Sequence, residues 1–124
     1  MKYLLDSNII IRLSMGIGDA LRERAAQCEH DELVTSSIVL AEVAHGSNKG
    51  RPPTLDRLQS ILEEVPVLDF DYKAALAYAS LPFKRGSYDR LIAAHVLSHD
   101  LVLITDNERD FADVPGLKIE NWTQ

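Results

Sequence analysis

Four acidic residues, Asp6, Glu42, Asp89 and Asp106, fall where short apolar strands should give way to helices. Asp6 follows Lys2-Tyr3-Leu4-Leu5 and Glu42 ends Ser36-Ser37-Ile38-Val39-Leu40-Ala41-Glu42. Asp89 closes Gly86-Ser87-Tyr88-Asp89, and Asp106 follows Leu101-Val102-Leu103-Ile104-Thr105. In an open parallel sheet, strand ends of this kind converge on one crevice, the usual ligand site. Two carboxylates ~5 Å apart at an effective dielectric of ~20 repel by roughly 3 kcal/mol. A set of four therefore needs protons or cations to compensate it. All-oxygen donors suit a hard divalent ion, Mg2+ or Mn2+, which keeps some of its waters. Such an ion can acidify a bound water and stabilise the leaving oxygen of an in-line displacement, and the chemistry indicated is phosphodiester hydrolysis.

Each acid also has a plainer reading. Asp6 and Asp89 can cap helices, gaining about 0.5–2 kcal/mol from free backbone N–H groups and the helix dipole. Glu42 can face solvent, and Asp106 can open a turn with Asn107. The set argues otherwise, because a right-handed parallel layout brings these junctions to one end of the sheet. Ser7 and Asn8 are placed to hold Asp6 by hydrogen bonds or to act as ordinary caps. Thr105 is placed to orient a carboxylate or a water. His45 and His95 lack the spacing of zinc ligands. Arg12, Arg85 and Arg90 are either phosphate contacts or solvated surface, and Asp110 is a further acid that Arg109 can neutralise.

The elements that must position these residues alternate. Residues 2–5 read as a buried strand, followed by a helix that begins under the Asp6-Ser7-Asn8 cluster. A second helix spans about 19–29, with Leu21, Ala25 and Cys28 at helical spacing. Leu33-Val34-Thr35 is a second strand, and Ser36-Ser37 starts a third helix with Val39, Leu40, Val43 and Ala44 inward. Pro53 is expected in the first turn of a fourth helix, where proline is tolerated. Leu55, Leu58, Ile61 and Leu62 form its apolar face. Val65-Pro66-Val67-Leu68 is a third strand that its proline assigns to an edge or a strand start. Residues 72–81 form a fifth helix, and Asp89 lies in the first turn of a sixth. Leu101-Val102-Leu103-Ile104 is a continuous aliphatic strand of the kind buried inside a parallel sheet. Leu117-Lys118-Ile119 is a last strand before Trp122. The alternation specifies an α/β domain with a parallel sheet.

The 124 residues fit one domain, 1–124, with apolar content of 46% and charged content of 26%. The one cysteine, Cys28, has no internal disulfide partner, which fits a reducing compartment. No run approaches the ~18 apolar residues of a membrane span. The first residues lack the charged-then-apolar layout of a signal peptide. The expectation is a soluble cytoplasmic protein with no membrane partner. A net charge of −6 argues against broad nucleic-acid binding unless bound cations reverse the local field. Lys84 and Arg85 are the only compact basic pair beside one of the four acids.

Leu5-Asp6-Ser7-Asn8, Ser36 to Glu42, Tyr88-Asp89-Arg90-Leu91-Ile92-Ala93-Ala94-His95 and Val102-Leu103-Ile104-Thr105-Asp106-Asn107 together resemble the four segments of a PIN domain. The chain is most similar to VapC toxins of VapBC toxin–antitoxin pairs. Its ending, from Phe111 through Val114-Pro115-Gly116-Leu117 to Glu120-Asn121-Trp122, resembles theirs too. The resemblance runs nearly end to end. It implies a three-layer α/β/α sandwich around a mainly parallel sheet of four to five strands. It also implies a Mg2+- or Mn2+-dependent endoribonuclease held inactive by a cognate antitoxin, whose C-terminal segment enters the active-site groove. A homodimer is implied as well. Carried over by position, Asp6, Glu42 and Asp89 match the most consistent acids, and Asp106 or Asn107 stands at the fourth place. Asn8, Thr105 and Asn107 are supporting residues. Ser7 stands where threonine is more frequent, a proline is missing before Tyr88, and the stretch 81–86 is shortened, which bears on the groove wall.

Two other functions compete. A phosphoacceptor signalling domain also groups acids at strand ends. It would need a lysine at the end of the last strand and an aspartate after the third, but Lys118 falls inside the Leu117-Lys118-Ile119 strand, and Asp69 leads into a helix start that lacks the partner acids. A non-catalytic PIN scaffold would serve only to bind a partner, and a divalent-metal titration would separate it from a nuclease.

Overall fold

A computed structural model describes residues 2–124. Five strands form one parallel sheet: β1 (Tyr3–Leu5), β2 (Leu33–Ser36), β3 (Val67–Leu68), β4 (Val102–Ile104) and β5 (Ile119–Glu120), in the order β3-β2-β1-β4-β5. β1 lies at the centre, pairing Tyr3 with both Leu33 and Val102, and Leu4 with Val34 and Leu103. All three β1 residues are buried. A strand covered on both faces must be apolar throughout, and this explains both the Tyr-Leu-Leu run and the aliphatic β4.

Seven helices fill the connections: α1 (Ser7–Ser14), α2 (Asp19–Ala26), α3 (Ser37–Asn48), α4 (Leu55–Glu64), α5 (Tyr72–Ala79), α6 (Tyr88–Ser98) and the one-turn α7 (Glu108–Phe111). α1 packs on α3 and α4, while α5 packs along α6, which also touches α3, α7 and β4. Leu4, Leu5, Ile9, Leu21, Val39, Ile92, Val96, Leu103 and Ile104 are fully enclosed between these layers. Burying each such side chain contributes about 1.5–3 kcal/mol. The result is the α/β domain with a parallel sheet that the alternation specified, layered as the sandwich that the resemblance implied.

Several helix starts follow from one residue each. Asp6, Ser36, Thr54, Asp71 and Ser87 are N-caps whose side chains accept from backbone N–H groups of the first turn. Proline did not open α4: Pro53 precedes the cap Thr54, whose Oγ1 accepts from Arg57 N at 3.3 Å. A hydroxyl that satisfies a free donor outcompetes a ring that merely lacks one. The last strand is shifted to Ile119–Glu120, leaving Leu117 and Lys118 outside it, because Leu103 pairs with Ile119. β3 is confined to Val67–Leu68 at the sheet edge, with Pro66 contributing only its carbonyl, which accepts from Thr35 N. α7 was not expected, since four residues are too few to show a helical period.

Candidate active site at the carboxyl ends of the strands

The chain crosses from β1 to β2 and β3 on one side, then returns to place β4 on the other side of β1. The strand order therefore reverses between β1 and β4, and such a point leaves a crevice beyond the strand ends. Asp6 follows β1 here and Asp106 follows β4.

Asp6 is 3% exposed. Its Oδ1 accepts from Ser7 N at 2.8 Å and its Oδ2 from Thr105 Oγ1 at 2.8 Å. Its backbone N donates to Ile104 O at 3.0 Å, which ties the loop to β4. Burial pushes its carboxyl up to about 6, against the pull of those two hydrogen bonds, and the charges of Asp89 and Glu42 push further. Asp89, half-buried in the first turn of α6, is also raised, first by burial and then by Asp110 and Glu42. The three acids thus share one field, with Asp110 beside them. Like charges close together disfavour the ionised form, and Asp6 and Asp89 both show it.

Glu42 sits in the second turn of α3, and its Oε1 accepts from Ser7 Oγ. The Ser7 hydroxyl therefore serves Glu42, whereas its backbone N–H serves Asp6. Asn8 does not hold Asp6: its Nδ2 donates to Asp106 Oδ1 at 3.2 Å. Arg12 donates to Asp106 Oδ2 at 3.1 Å. Both oxygens of Asp106 are therefore engaged, and Arg12 offsets its charge. Thr105, fully buried, orients a carboxylate as its position at the strand end suggested, and its Oγ1 also accepts from Asn107 N at 3.0 Å. The Asn107 side chain turns away, donating to Asp110 at 2.7 Å. No Arg109–Asp110 ion pair forms among the described residues.

Among the described residues, no three His, Cys, Asp or Glu side chains stand close enough to enclose an ion as they are. The hydrogen bonds explain this. The carboxylates of Asp6, Glu42 and Asp106 have turned to nearby donors, Ser7, Thr105, Asn8 and Arg12, which is cheaper than facing another carboxylate. The donor set remains entirely oxygen, at one end of one sheet, and carries uncompensated negative charge. That combination fits a hard divalent cation and not zinc or copper.

Sequence reasoning missed two contributions. Arg12 emerges as the counter-charge of Asp106, six residues from Asp6 and one helical turn beyond Asn8 on the same face; the i, i+4 spacing was the available signal. His95 is fully buried, with Nδ1 2.8 Å from Ser36 Oγ and its ring edge-on to Phe70 and His99. It braces α6 against the cap of α3, and burial lowers its pKa.

Comparison with known proteins gives a consistent result. The PIN domain family model matches residues 3–117. The chain is 33% identical to the tRNA(fMet)-specific endonuclease VapC of Salmonella typhimurium strain LT2, over 98% of each protein. It superposes on a chain of VapBC2 from Rickettsia felis, a complex bound to a DNA fragment from its promoter, with a TM-score of 0.83 and 28% identity, covering 98% of this chain and 99% of that one. It also superposes on a chain of DNA-bound VapBC from Salmonella typhimurium, with a TM-score of 0.82 and 31% identity over 98% of each.

Proposed function

The chain belongs to the PIN domain family, as a ribonuclease toxin of a type II toxin–antitoxin system, and we propose that it hydrolyses RNA phosphodiesters with Mg2+ or Mn2+ held by Asp6, Glu42 and Asp89. The observation that carries this reading is the buried carboxylate of Asp6, raised to about 6 with Asp89 and Glu42 adding to the shift. A site that stores repulsion of this kind gains most from a divalent cation. The cation would supply charge stabilisation at the phosphate undergoing attack.

The chain's own residues do the rest. Ser7 N and Thr105 fix the Asp6 carboxylate, Ser7 Oγ fixes Glu42, and the Ser87 cap fixes the first turn of α6 that carries Asp89. Asp106, balanced by Arg12, is the candidate fourth ligand, and Asn107 steadies Asp110 beside Asp89. An open hollow of about 460 Å3 adjoins Asp89, with Arg85, Arg90 and Arg109 in its wall. Arg90 is held there by the Arg85 carbonyl and by the Phe83 ring, 3.9 Å away. Three guanidinium groups beside a metal site suit the backbone phosphates of single-stranded RNA.

The expected partner is a VapB-type antitoxin, in line with the complexes formed by the chain's structural neighbours. An apolar hollow of about 400 Å3 between α1, α2, α4 and β2 suits one of its segments. No helix among the described residues is long and apolar enough to cross a membrane. An RNA-cleaving toxin would act in the cytoplasm, and we place it there.

Asp6→Asn and Asp89→Asn test the proposal. Each variant is expected to abolish RNA cleavage and growth inhibition and to lose heat on Mn2+ titration, while keeping a cooperative thermal transition. Full cleavage by either purified variant would overturn it. An unchanged Mn2+ isotherm in both would remove the cation from the reading.

A further inference from the structure

Glu42 lines a second, smaller cavity of about 190 Å3. Asn8 and Ile11 of α1, Glu42 and Val43 of α3, and Arg51 and Pro52 of the following loop line it. We infer that this cavity is a base subsite, and that it takes the guanine of the nucleotide next to the scissile phosphate. The inference rests on the ribonuclease reading above and adds its base preference.

Three features carry it. Ile11, Val43 and Pro52 give an apolar wall that suits a flat ring system, beside the polar groups of Ser7, Asn8, Glu42 and Arg51. Arg51 is held in place through its backbone: Arg51 N donates to Gly46 O at 2.9 Å, Gly50 N to Ser47 O at 3.1 Å, and Ser47 Oγ to Pro53 O at 2.6 Å. Yet its guanidinium has no carboxylate partner among the described residues. A hydrogen-bonded loop thus brings an arginine without a carboxylate partner to the cavity lining, where a ligand acceptor can meet it. Asn8 has given its Nδ2 to Asp106, so its carbonyl oxygen remains as an acceptor.

The chemistry then selects the occupant. A phosphate in this cavity would be repelled by the Glu42 carboxylate, whereas a neutral base would not be. Guanine (N7 and O6) and cytosine (O2 and N3) both offer adjacent acceptors to an arginine fork together with N–H donors to a carbonyl oxygen, and the double ring of guanine covers more of the apolar wall. Adenine would turn its N6 donors toward the guanidinium. Sequence-specific RNA contacts of this kind require a splayed, single-stranded base, which a one-base cavity beside the acids provides for.

The test is a protein-detected NMR titration with guanosine, adenosine, cytidine and uridine 5′-monophosphates, using wild type, Arg51→Ala and Arg51→Lys. Arg51 is exposed, so both variants should fold. The expected result is perturbation at Val43, Gly46 and Arg51, with the guanine nucleotide bound about tenfold more tightly than the adenine nucleotide. Both variants should lose that preference, lysine included, because it keeps the charge but not the planar fork. Equal affinities for all four, perturbation confined to Arg85 and Arg90, or full preference in Arg51→Lys would overturn the subsite. Cleavage of oligoribonucleotides carrying a single guanine at successive positions separates the two levels. Cutting with no guanine dependence defeats the subsite and leaves the nuclease standing. Guanine binding without any cutting defeats the nuclease and leaves the subsite.

Discussion

Asp6 combines three roles that pull against one another. It caps α1, it is nearly sealed from solvent, and it lies within the field of Asp89 and Glu42. Its folded-state carboxyl, at about 6, titrates above the 3.8 of the free side chain, so the fold favours the protonated form. The associated stability is fully present below pH 3.8 and is lost as pH rises through about 6. A shift of this size corresponds to on the order of 2–3 kcal/mol. In chelator, the stability of Asp6→Asn relative to wild type should therefore rise by that order between pH 4 and pH 7. Divalent cation should restore wild-type stability at neutral pH. Denaturant titrations at both pH values check this, and a constant difference across the range would contradict it.

At the scale of elements, the segment between α5 and α6 decides where Asp89 stands. It is short, and it is anchored by Arg90 on Phe83 and on the Arg85 carbonyl. Gly86 sits against α5 so closely that an added Cβ would collide with the Tyr78 hydroxyl. Only glycine permits that approach, three residues before Asp89. Gly86→Ala should therefore cost on the order of 1 kcal/mol through a shift of Tyr78 or of the segment itself. The matching loss of a few degrees in Tm should come with reduced RNA cleavage. Unaltered Tm and activity would show that the approach is slack. The opposite case is β1, whose role is fixed by pairing on both edges, and where substitution would disturb the whole sheet.

At the scale of the molecule, α5 presents Tyr72 at 77% exposure and Leu76 at 52%, one helical turn apart on its outer side. Large apolar groups left outside a core mark contact surfaces. We propose that a homodimer, which the resemblance implies, would bury this face and leave the active-site groove to the antitoxin's C-terminal segment. The double variant Tyr72→Asp, Leu76→Asp should convert a dimer to a monomer in light scattering while antitoxin capture persists. A dimer that survives both charges would move the interface elsewhere. Asp71, at the start of the same helix, is lowered by its cap bond to Ala74 N and then by His99, so α5 is secured at its N-terminus independently of that face.

The alternating apolar runs and the junction acids made the sheet, its parallel sense and the end that carries Asp6, Glu42, Asp89 and Asp106 legible from residue order. Strand periodicity and helix caps are local properties, written in neighbouring residues. Ser36 and Thr105 stood in plain view as a cap and a strand-end hydroxyl for the same reason. Only the folded chain decided how each carboxylate is satisfied: Ser7 serving both Asp6 and Glu42, Arg12 claiming Asp106, Asn107 turning to Asp110. Those partners lie up to 99 positions apart in sequence, as Asp6 and Thr105 do. Burial and mutual charge, which raise Asp6 and Asp89, arise when distant segments exclude water together, so no stretch of sequence contains them.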